Sequence, residues 1–391
     1  MTANPLEGIR VVDFGHLIAG PGAAAALAAL GADVIKVEPP NGESGRNIGS
    51  YGQAILAAYN RGKRSIALDL RSADGAEAAR RLISSADVLI QNLRPGAMDR
   101  LGLGADDVRA LNPSIIYASA SGFGSEGSGR NRIGLDIAAQ AESGMMSITG
   151  QADGDPQRVG FTVVDVATAD LLAQAVLAAL FARERTGRGE HIQISLIEVA
   201  IHLQATSWAE FGITGVEPRR CGNPQRTVAP AADVVQVKDG KIVISAYQDE
   251  HWRVLCSAID RPELADDPRF IDNSHRVAHR QELRDALETA LGDRTRYEVL
   301  AHFAERGVVA GNIRDYREVP SAREVADVGI FVSATSPDGV PIRLPRAPFR
   351  ADGWSHSNVP APRLGQHTSE VLAEIGYSPE EIESMRGPDG A

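Results

Sequence analysis

The 391-residue chain is predicted to be an α/β protein, a doubly wound parallel sheet followed by a second, smaller α+β domain. Over the first 200 residues, short β-branched runs alternate with Ala/Leu-rich stretches of helical length. At roughly 100 to 200 residues per domain, the length allows two domains, or one large domain with a satellite. After about residue 212 the composition shifts toward Pro, Gly and Arg, as in a linker.

Taken in order, GIRVVDF (8–14) reads as a strand, followed by HLIAGPGAAAALAALGA (16–32), a loop leading into a helix with Pro21 near its first turn. DVIKVE (33–38), SIALDL (65–70), DVLIQNL (87–93) and SIIYASA (114–120) are the next strands, with helical stretches at 72–86 and 95–112. Residues 121–164 are glycine-rich loop with one helix expected near 135–147, and a loop of this length inside a domain is more often functional than idle. An apolar helix is expected from Val166 to about Arg185, ended by the glycines of TGRG. HIQISL (191–196) is a further strand and IEVAIHLQATSWAEF a further helix. Beyond the Pro/Gly/Arg-rich segment, ADVVQVKDGKIVISA (232–246) has the pattern of a hairpin turned at Asp239–Gly240. Helices are expected at 249–259, 274–291 and 295–306, then a second linker over 307–345 and a last helix capped by Thr368 or Ser369.

Composition narrows the function. With 40 Lys+Arg against 51 Asp+Glu, the formal charge is −11, which argues against general binding to nucleic acid or to an anionic membrane. The longest apolar stretches, such as 171–182, fall short of the roughly 20 residues a membrane helix needs, and the start MTANPLEGIRVVDF has no secretory pattern, so a soluble protein is expected. Two cysteines, Cys221 and Cys256, outside any CxxC pair, fit a reducing cytoplasm and make structural zinc improbable.

The loop GHLIAGPG lacks the GxGxxG of dinucleotide sites and offers only an anion-friendly helix start, or a plain βα connection. NRGKRS (60–65) places Arg61, Lys63 and Arg64 together, either as a solvated basic turn or facing a phosphate. His275 and His279 have the HxxxH spacing of metal ligands, but they stand among Arg276, Arg280 and Arg284, so a solvated helix face is the expectation and no metal site is predicted. Asp165 is the most informative residue, a lone carboxylate delivered by an apolar run to the start of a long apolar helix. It suits a helix cap. It also suits a carboxylate nucleophile, kept ionised by the helix dipole with the first N–H groups near an oxyanion.

Several motifs together are more specific. LEGIRVVDFGHLIAGP, LGADVIKVEPP, NRGKRSIALDL, NLRPGAMDRLGL, the D-x-x-x-Q-A-x-S-G run at 136–144, R-x-x-TGRG at 183–189, PRRCGN, ADDPRF and PRLGQHTSEVLAEIGYS follow one another along nearly the whole chain. In this the sequence resembles the class III coenzyme A transferases, the family of formyl-CoA:oxalate and carnitine CoA-transferases, which also includes the α-methylacyl-CoA racemases.

The resemblance implies a large Rossmann-like domain built from 1–211 and 346–391, a linker at 212–230, a small domain at 231–306, a return linker at 307–345, and an interlocked homodimer. It makes Asp165 the nucleophile that carries CoA from an acyl-CoA to a free carboxylic acid, with no tightly bound cofactor. The CoA site would comprise His16, Leu17, Ile18 and Ala19, then Leu68 to Arg71 around the adenine, Asn92, Leu93 and Arg94, and Arg100 on a phosphate, with Asp136 near the thioester. The three arginines would face the phosphates of CoA. Three departures stand out: Pro39 where some members have a basic residue, Gly127-Ser128-Gly129 before the D-x-x-x-Q run, and Gln366 in GQHT. Nothing near 212–232 matches the glycine-rich lid of formyl-CoA transferase. Two alternatives remain: a racemase, disfavoured because Leu135 stands where racemases carry a histidine, and a CoA-binding subunit without catalysis.

Overall fold

The computed structural model describes residues 4–355 and 359–386, which fall into two compact units. The larger takes the chain up to Met145, 159–208 and the stretch from Val328 onward; the smaller takes 146–158 and 209–327.

In the larger unit the strands are β1 (Arg10–Asp13), β2 (Asp33–Glu38), β3 (Lys63–Ala67), β4 (Val88–Gln91), β5 (Ile116–Ser121) and β6 (His191–Ser195). They form one parallel sheet in the order β3-β2-β1-β4-β5-β6. The helices up to His202 are α1 (Ala19–Ala29), α2 (Gly49–Tyr59), α3 (Ala73–Ser84), α4 (Ala97–Arg100), α5 (Ala105–Leu111), α6 (Asp136–Glu142), α7 (Met145–Ile148), α8 (Val163–Thr186) and α9 (Leu196–His202), of which α7 falls, after its first residue, in the smaller unit. The apolar runs of the central strands serve two faces, as expected of a sheet covered on both sides. Val11, Val34, Val88 and Ile90 pack with α1 and α8, whereas Val12, Ile35, Ile66 and Leu89 pack with α3 and the C-terminal Val371, Leu372 and Ile382. Helices α1 and α8 approach closely at Gly22, where an added Cβ would lie 2.8 Å from that of Ala169.

Several expectations are corrected. The long helix begins at Val163, so Asp165 sits inside its first turn and is not the cap. At 24 residues, α8 exceeds the length expected and is the one helix among the described residues long and apolar enough to cross a membrane; Leu172, Val176 and Leu180 face the sheet. β3 begins at Lys63, so Lys63 and Arg64 lie in the strand, while Arg61 stays in the turn before it and donates to Pro345 O. Lys63 is fully buried and donates to Asp13 Oδ2 (2.7 Å), Pro21 O and Asn60 Oδ1, while Arg64 pairs with Asp33, Glu370 and Glu374. Neither cation faces a phosphate site. Thr368 caps no helix; its hydroxyl accepts from Ala67 N, and His367 exchanges hydrogen bonds with Ser65, so the C-terminal return closes the open edge of β3.

The smaller unit holds the antiparallel strands β7 (Asp233–Val237), β8 (Gly240–Ser245) and β9 (Val309–Asn312). Trp252, Phe270, Leu287 and Phe303 fill its core. The helix expected over 274–291 breaks at His279, and Arg276 is fully buried, donating to Ala229 O, Phe270 O and Asp249. His275 bonds Asp272 and His279 bonds His275 O, so the HxxxH pair serves local turns. The stretch 307–345 is more than a connection: it holds β9 and, in the larger unit, a hairpin of Phe331–Thr335 with Pro341–Pro345.

Candidate active site

A strand order that runs outward in both directions from β1 and β4 leaves a crevice beyond their carboxyl ends, where ligands bind in such sheets. The loops after β1, β4 and β5 meet there around a cavity of about 200 Å³. His16, Leu17, Ile18, Ala19, Asn92, Leu93 and Arg94 line it together with Arg132, Leu135 and Asp165. Eight of the twelve residues expected at the site are thus brought together.

Asn92 holds the first loop in register, accepting from His16 N at 2.7 Å and donating to His16 O at 2.9 Å. Gly20 lies against this amide, where a Cβ would come within 3.1 Å of Asn92 Oδ1. Gly122 and Gly134 let the loops after β5 and before α6 touch, because a Cβ on either would fall within 2.4 Å of the other's backbone. Arg132 forks onto Glu142 and stacks on Phe123 at the rim.

The chemistry of Asp165 depends on Asp136. One oxygen of Asp136 accepts from Val164 N (2.8 Å) and Asp165 N (3.1 Å), so the free N–H groups at the start of α8 are capped by a residue from another helix. Its other oxygen accepts from Gln140 Nε2 at 2.5 Å, and Gln140 Oε1 accepts from Val159 N. The D-x-x-x-Q run is therefore a scaffold for the turn that carries Asp165. Its Asp136 is buried beneath that turn and does not line the cavity. These amides are engaged, so they are not the oxyanion donors expected from α8. Burial, reinforced by the neighbouring Asp136 charge, raises the Asp165 carboxyl from 3.8 to about 7. The expectation that the helix dipole keeps it readily ionised is therefore corrected.

No protein acceptor among the described residues takes the N–H groups of Ile18, Ala19 and Gly20, at the start of α1 beside the cavity. The imidazole of His16 is pushed below its usual value by burial and by Lys36. The other expected residues lie elsewhere. Leu68 is in the core, and Arg71 is exposed just before α3. Arg100 is exposed at the end of α4, folded over Gly96. A larger cleft of about 750 Å³ shares the wall Leu93-Arg94-Pro95 and carries residues sequence reasoning missed, among them Ser119, His191 and Gln193.

Comparison with known proteins decides the family: the profile of CoA-transferase family III matches residues 6–368. The chain belongs to this family. This CoA-transferase is 36% identical over 389 residues to the succinate–glutarate CoA-transferase of Agrobacterium fabrum, covering 95% of this chain and 96% of the relative. It is 35% identical to the acetyl-CoA:oxalate CoA-transferase of Acetobacter aceti, again with 95% and 96% covered. A solved CaiB/BaiF family protein from Brucella suis superposes with a TM-score of 0.85 at 35% identity, over 96% of this chain and all of the other. The enzyme is thus an acyl-CoA-using transferase, and the racemase alternative is not favoured; Leu135 at the cavity cannot accept a proton.

Proposed function

We propose that this enzyme moves CoA between an acyl-CoA and a free carboxylic acid through a covalent intermediate on Asp165. The observation that carries this is a half-buried carboxylate lining the switch-point cavity, with its helix capped by another residue. A desolvated carboxylate is a stronger nucleophile than a hydrated one.

An Asp165 oxygen attacks the thioester carbonyl carbon, and collapse expels CoA thiolate to leave a mixed anhydride. The thiolate attacks the Asp165 carbonyl of that anhydride, releasing the donor acid and leaving an aspartyl-CoA thioester. The acceptor carboxylate attacks this thioester, giving a second anhydride and thiolate. The thiolate then takes the acceptor's acyl group and frees Asp165. No proton is consumed, and each acyl species is about as reactive as the last. The N–H groups at the start of α1 are the donors available to the tetrahedral oxyanions, and His16, Leu17 and Asn92 to Arg94 border the thioester arm. In this reading Arg71, Arg94 and Arg100 serve the phosphates, the buried Leu68 supports the turn before Arg71 from the core, and Asp136 acts through Asp165.

The large domain closes with the chain's C-terminal part, and the subunits form an interlocked homodimer in the cytoplasm. The exposed Phe181 on α8, Ile201 on α9 and Leu203 just after it support a subunit contact. Incubation with a panel of acyl-CoAs, followed by mass spectrometry of the peptide bearing Asp165, is expected to show an acyl or CoA adduct. No adduct from any donor, with Asp165→Ala as active as wild type, refutes the proposal.

A further inference from the structure

The loop between β1 and α1 is held in an unfavourable shape by buried charge. Leu17 has φ of +60°, a left-handed conformation disfavoured by a factor of roughly 5 to 30 for a residue with a Cβ. Its N–H donates 2.8 Å to Oε2 of Glu43, a fully buried carboxylate in the segment between β2 and α2. The other oxygen, Oε1, has no hydrogen-bond partner and lies 3.6 Å from the buried Nζ of Lys36. Lys36 Nζ in turn donates 2.6 Å to Gly15 O. Glu43 is itself set by Glu38, which accepts from its N–H while gripping Arg46 through both oxygens. Between Gly15 and Leu17, His16 is held at both peptide groups by Asn92. Side chains from either side of β1 thus fix consecutive backbone groups, and the segment they fix leads directly into the N–H groups of Ile18, Ala19 and Gly20, which meet no acceptor among the described residues.

We propose that Glu43 is a positioning residue: it locks Leu17 in the left-handed conformation that turns the start of α1 toward the reacting carbonyl. The role in catalysis rests on the transferase reading above. Only a carboxylate fits both neighbours. A glutamine that turns its oxygen to Leu17 N–H points its amide hydrogens at the Lys36 ammonium, and the reverse orientation opposes two donors at Leu17.

The test is a cycle of Glu43→Gln and Leu17→Gly, because glycine adopts positive φ without a Cβ penalty. Kinetics of CoA transfer and amide exchange in a peptide covering residues 14–22 are followed together. Glu43→Gln is expected to lower kcat about tenfold with KM for acyl-CoA changed less than about threefold, and to speed exchange about tenfold or more. In the Leu17→Gly background the same change lowers kcat less than about twofold, since the strain it must hold is gone. Equal losses in both backgrounds, or wild-type kcat and exchange in Glu43→Gln, overturn the proposal. If Glu43→Gln does not fold, Glu43→Gln with Lys36→Met removes the buried cation with its partner and is compared in the same way. A wild-type protein that transfers no CoA refutes the transferase reading, and exchange then decides alone: a peptide as fast in wild type as in Glu43→Gln refutes the lock.

Discussion

Replacing Asp165 by asparagine is expected to make the protein more stable at alkaline pH while abolishing transfer. The fold raises this carboxyl from 3.8 to about 7, first by burial and then by the Asp136 charge. A raised folded-state value means that the folded chain prefers the neutral acid. The group therefore contributes fully below 3.8, and that contribution is lost as pH rises through 7. At roughly 1.4 kcal/mol per tenfold, the full effect is about 4 kcal/mol, and partial solvent access reduces it to about 2 to 4 kcal/mol. Asp165→Asn keeps the shape and cannot ionise. Thermal unfolding at pH 8 is expected to show a Tm gain of about 4 °C or more, falling to less than about half at pH 5. A gain of the same size at both pH values, or none at pH 8, refutes a desolvated carboxylate at this position.

The same shift predicts that kcat/KM climbs about tenfold per pH unit below about 7 and levels above it, as seen in initial rates across pH 5 to 9. Asp136→Asn places an amide where two oxygens now accept from Gln140 and two main-chain N–H groups; it should cost about 1 to 2 kcal/mol in denaturant unfolding and move the kcat/KM limb to lower pH. Gly22→Ala forces a methyl against Ala169, 2.8 Å away, and should lower stability by about 1 to 3 kcal/mol with little change in KM. Lys63→Met strips Asp13 of its 2.7 Å partner in a fully buried setting, and a loss of about 3 to 5 kcal/mol is expected by the same unfolding measurement.

The sheet was legible because its central strands are β-branched runs buried on both faces, too short for helices and bounded by turn residues. What escaped were elements whose stability comes from distant partners. Helix α2 opens on Gly49 at positive φ, and its Gly52 packs where a Cβ would lie 1.9 Å from Gly45 O, so local propensity hides it. β9 is a four-residue strand that exists through pairing with β8. Lys63 looked like surface charge because a run of cations gives no sign that one member turns inward to a carboxylate 50 residues away.

The candidate site was legible in part for the same reason. The loop after β1 and the Asn92-Leu93-Arg94 segment are contiguous in sequence, whereas the environment of Asp165 is assembled by Asp136, 29 positions earlier. Had Asp165 been the cap of α8, its oxygens would be engaged by main-chain N–H groups, lowering its nucleophilicity and its affinity for protons together. The structure divides these tasks between two carboxylates. Asp136, buried and fully hydrogen-bonded, holds the helix start, and its negative charge helps keep the neighbouring acid weak. Asp165 is left facing the cavity with no hydrogen bond to its carboxylate among the described residues, half-buried and close to neutral pH in its titration. Under the proposed mechanism, the nucleophile must both attack a thioester and leave again as a carboxylate, which needs an anion of intermediate stability; giving the capping role to its neighbour supports that.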